Sequence, residues 1–324
     1  MLTANGRQAR PMTTGSDVQA AAARLAGRIR VTPLTEADPG SFPPAGRVWL
    51  KLEHLQHTGS FKARGALNRI LSAAEQGPLP AAGVVAASGG NHGLAVAYAA
   101  ARHDLPARVF VPAAAPEVKV ARLRAYGADV VQAGSCYAEA YESAAKHAAD
   151  VGALLCHAYD QPEICAGQGT LGLELLQQSG GELDTVLVAV GGGGLMAGIA
   201  AATEGRARVV GVEPRTIPTL HAALAAGRPV DVEVSGVAVD ALGATRLGEI
   251  PFAVATRTGV RSVLVDDADL IAARRLLWDR YRLVVEHGTA AALAALLTGA
   301  YRPADGERVA VILCGANTDP ASLA

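Results

Sequence analysis

Short apolar runs alternate with helix-patterned stretches along most of the chain, and nothing else in the sequence constrains the fold as tightly. Runs expected as strands lie at 48–52, 83–87, 108–111, 129–131, 153–156, 185–190, 208–212 and 309–313. Between them, helices are expected at 16–29, 62–75, from 91, 116–126, 135–149, after 194, near 218, at 266–281 and at 289–297. Apolar runs separated in this way indicate an α/β protein, with parallel sheet covered by helices on its faces. With 324 residues, half of them hydrophobic, the chain is long enough for two such lobes. Aromatics make up only 4%, so Ala, Val, Leu and Gly must build the core.

The same composition excludes several function classes. Formal net charge is −1 with the signs scattered, so no basic stripe addresses nucleic acid. The four cysteines, Cys136, Cys156, Cys165 and Cys314, have no CxxC spacing, and reduced thiols in the cytosol are expected. Residues 1–11 carry Arg7 and Arg10 but no apolar run, which argues against a signal peptide, and the chain up to Thr14 reads as frayed. No stretch is long and apolar enough to span a membrane; the Ala/Leu-rich segment after Gly288 is short and ends at Gly299. A cytoplasmic protein without membrane contact is the expectation.

Four constellations carry chemistry. Lys62 follows the Gly59-Ser60 turn and Phe61 and opens a helix, where it is either a solvated surface lysine or an amine nucleophile turned into a cleft. Gly191, Gly192, Gly193 and Gly194, then Leu195, lie between a Val-rich strand and a helix. They match neither GxGxxG nor a P-loop, which argues against dinucleotides, and their free N–H groups suit a single phosphomonoester. A tight turn is the bland alternative, but a turn needs one or two glycines, and four raise the entropy of the unfolded chain. Ser88-Gly89-Gly90-Asn91-His92-Gly93 is either an N-cap with a Gly-rich turn or a polar cup for a carboxylate or phenolic oxygen. Cys314, after the last strand, is either a buried small thiol or a weak partner for a ring nitrogen. All four sit at the carboxyl ends of expected parallel strands or in adjacent loops, where open α/β sheets bind ligands.

Taken together, these motifs resemble the serine/threonine dehydratase (threonine ammonia-lyase) and serine racemase family of pyridoxal-phosphate enzymes. The resemblance runs from 21 to 319 through Thr58-Gly59-Ser60-Phe61-Lys62-Ala63-Arg64-Gly65, Ser88 to Gly93, Ala166-Gly167-Gln168-Gly169-Thr170, Gly191 to Leu195 and Cys314-Gly315-Ala316-Asn317. It implies fold type II, the two-lobed tryptophan synthase β-like architecture. The large cofactor-binding lobe would comprise 1–81 and 157–324, and the small lobe 82–156. It also implies that Lys62 holds pyridoxal 5′-phosphate as a Schiff base and then acts as the base at the substrate Cα. Phe61 would pack on the pyridine ring, Asn91 would bond the ring hydroxyl, and Gly191 to Leu195 would cradle the phosphate. Cys314 would face the ring nitrogen and Glu286 would stand near the cofactor. Ser60, Ser88, Gly89, Asn91 and His92 would hold the substrate. A thiol cannot keep the ring nitrogen protonated as a carboxylate does, which favours expelling a β-hydroxyl over transamination.

Departures from the family pattern sharpen this. Serine racemases, which the chain resembles, place a second serine after the one matching Ser88, as the acid/base on the opposite face; here Gly89 stands there. Elimination is therefore expected over racemisation. The family's divalent-cation site uses a glutamate, matched by Glu213, but the next residues lack its aspartate. Asp240 resembles another position near that site, so a cation, divalent or monovalent, stays open. The loop at Asn91 departs from the cysteine synthase pattern, and no room remains for a regulatory domain, so isoleucine feedback is not expected. The expected function is L-threonine/L-serine dehydration to a 2-oxo acid and ammonia by a homodimer or homotetramer. Alternatives are dehydration of another β-hydroxy amino acid such as 3-hydroxyaspartate or phenylserine, racemisation of serine, or a catalytically silent cofactor-binding protein.

Overall fold

A computed structural model describes residues 12–323 of the chain. The expectation for residues 1–11 lies outside the described residues. From the amino end, α1 (Gly15–Leu25), β1 (Leu34–Glu36), β2 (Arg47–Lys51) and α2 (Lys62–Gln76) come first. They lead to β3 (Val84–Ala87), α3 (Asn91–Ala101), β4 (Ala107–Val111), α4 (Glu117–Ala125), β5 (Ala128–Gln132), α5 (Tyr137–Val151) and β6 (Leu154–Leu155). Next are α6 (Pro162–Gln178), β7 (Thr185–Ala189), α7 (Gly194–Thr203), β8 (Arg208–Pro214), α8 (Thr219–Ala226), α9 (Val239–Leu242) and α10 (Glu249–Thr258). The chain continues through β9 (Arg261–Val265), α11 (Asp267–Tyr281), α12 (His287–Thr298) and β10 (Arg308–Ile312).

These elements form two sheets. The larger runs β1-β2-β10-β7-β8-β9, parallel except for the edge pair β1/β2. Ala310 is its centre, paired with Trp49 on one side and Val186 on the other. The smaller runs β5-β4-β3-β6, all parallel, with Ala86 opposite Val109. The inner strands carry near-continuous apolar runs, such as 186–189 of β7 and 309–312 of β10, because helices cover both faces. Every residue of β7 is buried, and so are most residues of α7 and α12. Order fixes the site: β2, β10 and β7 are neighbours, so the loops leaving their carboxyl ends converge.

The structure corrects some boundaries. Thr14 caps α1, forming a reciprocal capping box with Asp17, so the helix starts at Gly15 and stops at Leu25 rather than running 16–29. The start is not frayed as far as Thr14: Thr13 is buried and its carbonyl accepts from the Arg257 guanidinium at 3.0 Å. Helix α6 was not expected from the sequence, because Gly167, Gly169 and Gly172 depress helix propensity. Tertiary packing overrides that penalty, since α6 lies against α2 and α7 along its small residues. The edge elements β1, β9 and α10 also lacked a clear periodic signal.

Candidate active site

The lysine loop is held by the strand that precedes Cys314. Phe61 N–H donates to the Cys314 carbonyl at 3.0 Å, Ala316 N–H to the Gly59 carbonyl at 3.0 Å, and Ser60 bridges Gly315. This clamp starts α2 at Lys62, whose amine donates to the Ala158 carbonyl at 2.5 Å and lies 5.1 Å from the Phe61 ring centre. Burial holds the Lys62 ammonium down to about 8, against a smaller upward push from the neighbouring thiols Cys165 and Cys314. Loss of hydration penalises the charged form, so the amine is neutral at far lower pH than a surface lysine.

Under the loop lies a buried ionic base. Arg64, two residues on, donates to both Glu53 carboxylate oxygens (2.6 and 2.9 Å), to Glu174 (2.9 Å) and to the Thr170 hydroxyl (3.1 Å). Lys51 reaches Glu174 at 2.6 Å, so two cations and two anions neutralise one another in a buried cluster. Such a net is stiff, because moving either partner strands a buried charge.

A second net joins the other loops. Glu286 N-caps α12 and accepts from Asn91 Nδ2 at 3.0 Å on each oxygen, and from Asn317 N–H at 2.7 Å. Asn317 Nδ2 donates to Asn91 Oδ1 at 2.6 Å and to the Thr58 carbonyl at 2.8 Å. Burial pushes the Glu286 carboxyl up, opposed by the Asn91 and Asn317 donors. Asn317 thus ties the lysine turn to the asparagine loop. The sequence contained it within a motif, but only the fold gives it this role.

Cys314 packs beside Thr289, 3.3 Å from sulfur to hydroxyl oxygen. The Thr289 hydroxyl gives its one proton to the Gly315 carbonyl at 2.9 Å, which leaves the thiol as donor toward Thr289. Burial raises the thiol to about 12, so it is uncharged at neutral pH. Cys165 on α6 is likewise raised to about 12, and its thiol donates to the Tyr159 carbonyl at 3.1 Å.

Two helix starts present unpaired amides. Among the described residues no protein group accepts from the N–H of Gly191, Gly192, Gly193, Gly194 or Leu195 at the start of α7. The cradle admits no side chains: a Cβ on Gly192 would fall 2.2 Å from the Tyr159 ring. Gly193 has φ +90°, and a Cβ there would lie 2.6 Å from Leu247 and 2.7 Å from Pro251. At the start of α3 the N–H groups of Gly89, Asn91, His92 and Gly93 are equally unpaired among the described residues. The Ser88 hydroxyl accepts from Gly90 N–H at 3.2 Å. The Ser60 hydroxyl is buried without a partner. Aligned amides at a helix start attract anions.

Three expected residues sit differently from their sequence reading. The His92 side chain is turned inward, with Nε2 2.9 Å from the Cys156 carbonyl, so only its backbone N–H faces the cup. Burial, helped by the nearby Lys62, lowers its ring to about 3. Glu213 is buried at the end of β8 and accepts from Thr219 Oγ1, Leu220 N–H, His221 N–H and Ser262 Oγ between 2.6 and 3.1 Å. It caps α8. Asp240 is instead exposed and pairs with Lys119 of α4 at 2.9 Å. No group of three or more His, Cys, Asp or Glu side chains able to hold a metal occurs among the described residues.

Comparison with known proteins gives a consistent set. The sequence model of the family described as pyridoxal-phosphate dependent enzyme matches residues 25–315. The chain is 38% identical over 318 residues to a phenylserine dehydratase of Ralstonia pickettii, covering 96% of each. It is 38% identical over 305 residues to an L-threonine ammonia-lyase of Geobacter sulfurreducens, covering 93% of this chain and 75% of that one. Among solved structures, a threonine deaminase from T.th. superposes with a TM-score of 0.84 at 38% identity, over 94% of this chain and 99% of its own. Maize serine racemase superposes with a TM-score of 0.88 at 29% identity, over 97% and 96%.

Proposed function

The chain belongs to the pyridoxal-phosphate dependent enzyme family and has its fold type II architecture, and from that premise we propose that it dehydrates and deaminates L-threonine and L-serine. It is an ammonia-lyase of β-hydroxy amino acids, and each turnover yields a 2-oxo acid and ammonia. One observation carries the reading: the chain holds a desolvated amine, Lys62, together with two helix starts whose amides have no partner among the described residues.

The residues present fit pyridoxal phosphate. The amides of Gly191 to Leu195 suit its phosphate, Phe61 its ring, Asn91 its hydroxyl, the neutral Cys314 thiol its nitrogen, and Lys62 its aldehyde carbon. When bound, the cofactor supplies an electrophilic carbon for the substrate amine and an electron sink for the Cα–H bond.

The chain's own groups supply the rest. At pH 7 an amine titrating near 8 is neutral in about a tenth of molecules, against roughly four in ten thousand at the usual 10.4. That neutral amine is what attacks a carbonyl and later accepts the Cα proton. The amides of α3 orient the substrate carboxylate, and with it the Cα–H bond, toward Lys62. Cys314 bears no charge and places no counter-ion beside the ring, which disfavours a long-lived charged state and so favours prompt loss of the β-hydroxyl. Gly89 offers no proton donor, which favours elimination over racemisation despite the racemase among the structural neighbours. In this reading 82–156 forms a small lobe beside the large lobe of 1–81 and 157–324, and the enzyme is a cytoplasmic homodimer or homotetramer, which light scattering tests. Ammonia release from L-threonine, with Lys62→Ala as control, tests the proposal.

A further inference from the structure

Phe, Trp and Tyr make up only 4% of this chain, yet three tyrosines and a histidine form one connected ring cluster that flanks Ala158, the acceptor of the Lys62 amine. Ala158, whose carbonyl accepts from the Lys62 amine, lies between His157 and Tyr159. The His157 ring meets Tyr159 edge-on, with centroids 4.7 Å apart, and Tyr141 edge-on at 5.1 Å. Tyr137 stacks on Tyr141 at 6.4 Å. The Tyr159 ring in turn lies against Gly192 of the amide cradle. The wall therefore runs from the cradle, past the lysine's acceptor, to the start of α5, where Tyr137 is 38% exposed.

Resting on the dehydratase reading above, we propose that the wall of Tyr137, Tyr141, His157 and Tyr159 receives the substrate side chain, and that the preferred substrates are β-hydroxy amino acids with a β-aryl group.

One observation and two arguments from size and ring contact favour an aryl group over the alternatives. His157 Nδ1 accepts from Tyr159 N–H (3.1 Å) and Asp160 N–H (2.9 Å), which fixes the ring as an acceptor on that side and keeps it neutral. A β-carboxylate, as in 3-hydroxyaspartate, would therefore meet Asp160 nearby and no protonated histidine. The side chains of serine and threonine carry no ring to stack against Tyr141 and Tyr137. Edge-to-face and stacked pairs are worth about two- to tenfold in binding for each ring contact. Burying a phenyl rather than a methyl adds to that, so a preference of about tenfold or more for the aryl side chain is expected.

The test uses holoenzyme and two measurements. The first is calorimetric binding of L-phenylalanine against L-alanine, which lack a β-hydroxyl and so cannot undergo the elimination. The account expects L-phenylalanine to bind about tenfold tighter, Tyr137→Ala to erase most of that ratio, and Tyr137→Phe to keep it. Equal affinities, or a ratio untouched by Tyr137→Ala, overturn the proposal. The second is kcat/KM for L-threo-phenylserine and L-threonine. Tyr137→Ala is expected to lower the first selectively; an equal fall in both assigns Tyr137 a merely structural role and overturns the proposal. If neither amino acid is turned over yet the binding ratio behaves as stated, the aryl wall stands and the dehydratase reading fails. Turnover of L-threonine with equal affinities fails the wall alone.

Discussion

Replacing Gly89 by serine tests why the enzyme would eliminate rather than racemise. The structure leaves room: a Cβ at 89 would meet only Val111 Cγ1 at 3.7 Å and Lys119 Cδ at 3.9 Å, which is ordinary contact. The backbone there is not in the left-handed region, so a side chain adds no strain. Reducing the freedom of the unfolded chain is worth about 0.4–1 kcal/mol for glycine replacement at a compatible site, so Gly89→Ser should match or slightly exceed wild-type stability. The new hydroxyl adds a proton donor where the chain has none. Positioned acid/base groups contribute about 10²–10⁴-fold, so interconversion of L- and D-serine should rise about a hundredfold or more. Gly89→Ala fills the same space without a proton and should not show the gain. The assay is chiral chromatography of residual serine, paired with solvent deuterium incorporation at Cα. A Gly89→Ser protein of wild-type stability with unchanged interconversion refutes the argument that an absent donor at 89 restricts the reaction.

Further outcomes follow from the same geometry. Gly193→Ala forces a Cβ into a backbone at φ +90° and against Leu247 and Pro251; overpacking alone costs about 1–3 kcal/mol, so urea unfolding should show more loss than Gly205→Ala, whose Cβ meets nothing within 4 Å, and pyridoxal-phosphate affinity should fall only in the former. Glu53→Gln leaves Arg64 without its two-oxygen partner and should cost about 3–5 kcal/mol by chemical denaturation. Because burial lowers the Lys62 amine to about 8, capture of pyridoxal phosphate by stripped protein should speed up as pH rises and level off above about 8; a rate still climbing through pH 10 would show a surface-like lysine. That sign follows from the neutral amine being the reacting form.

Much of the fold was legible because parallel strands covered on both faces read as unbroken apolar runs, as in β7 and β10. The edge strands β1 and β9 lack that signature, and α6 hides behind its glycines. The chemistry-bearing loops stood out because glycines, a lysine and an asparagine occupy strand ends. The supports did not: the Ala158 carbonyl, the Asn317 side chain and the Arg64–Glu53–Glu174–Lys51 base depend on contacts between residues up to 259 apart along the chain. The inward turn of His92 and the helix-capping role of Glu213 are likewise set by tertiary packing, which no local pattern records. The aromatic wall went unread because its rings are spread from 137 to 159, with no spacing that marks a common face.

The central claim is that Lys62 drives ammonia release from β-hydroxy amino acids. The most direct measurement is ammonia and 2-oxo acid released together from L-threonine, L-serine and L-threo-phenylserine by protein supplied with pyridoxal phosphate, beside Lys62→Ala. The account predicts equal amounts of the two products from wild type with at least one of these substrates, and none from Lys62→Ala. Wild type that releases neither product from any of the three, or a Lys62→Ala protein as active as wild type, would contradict it.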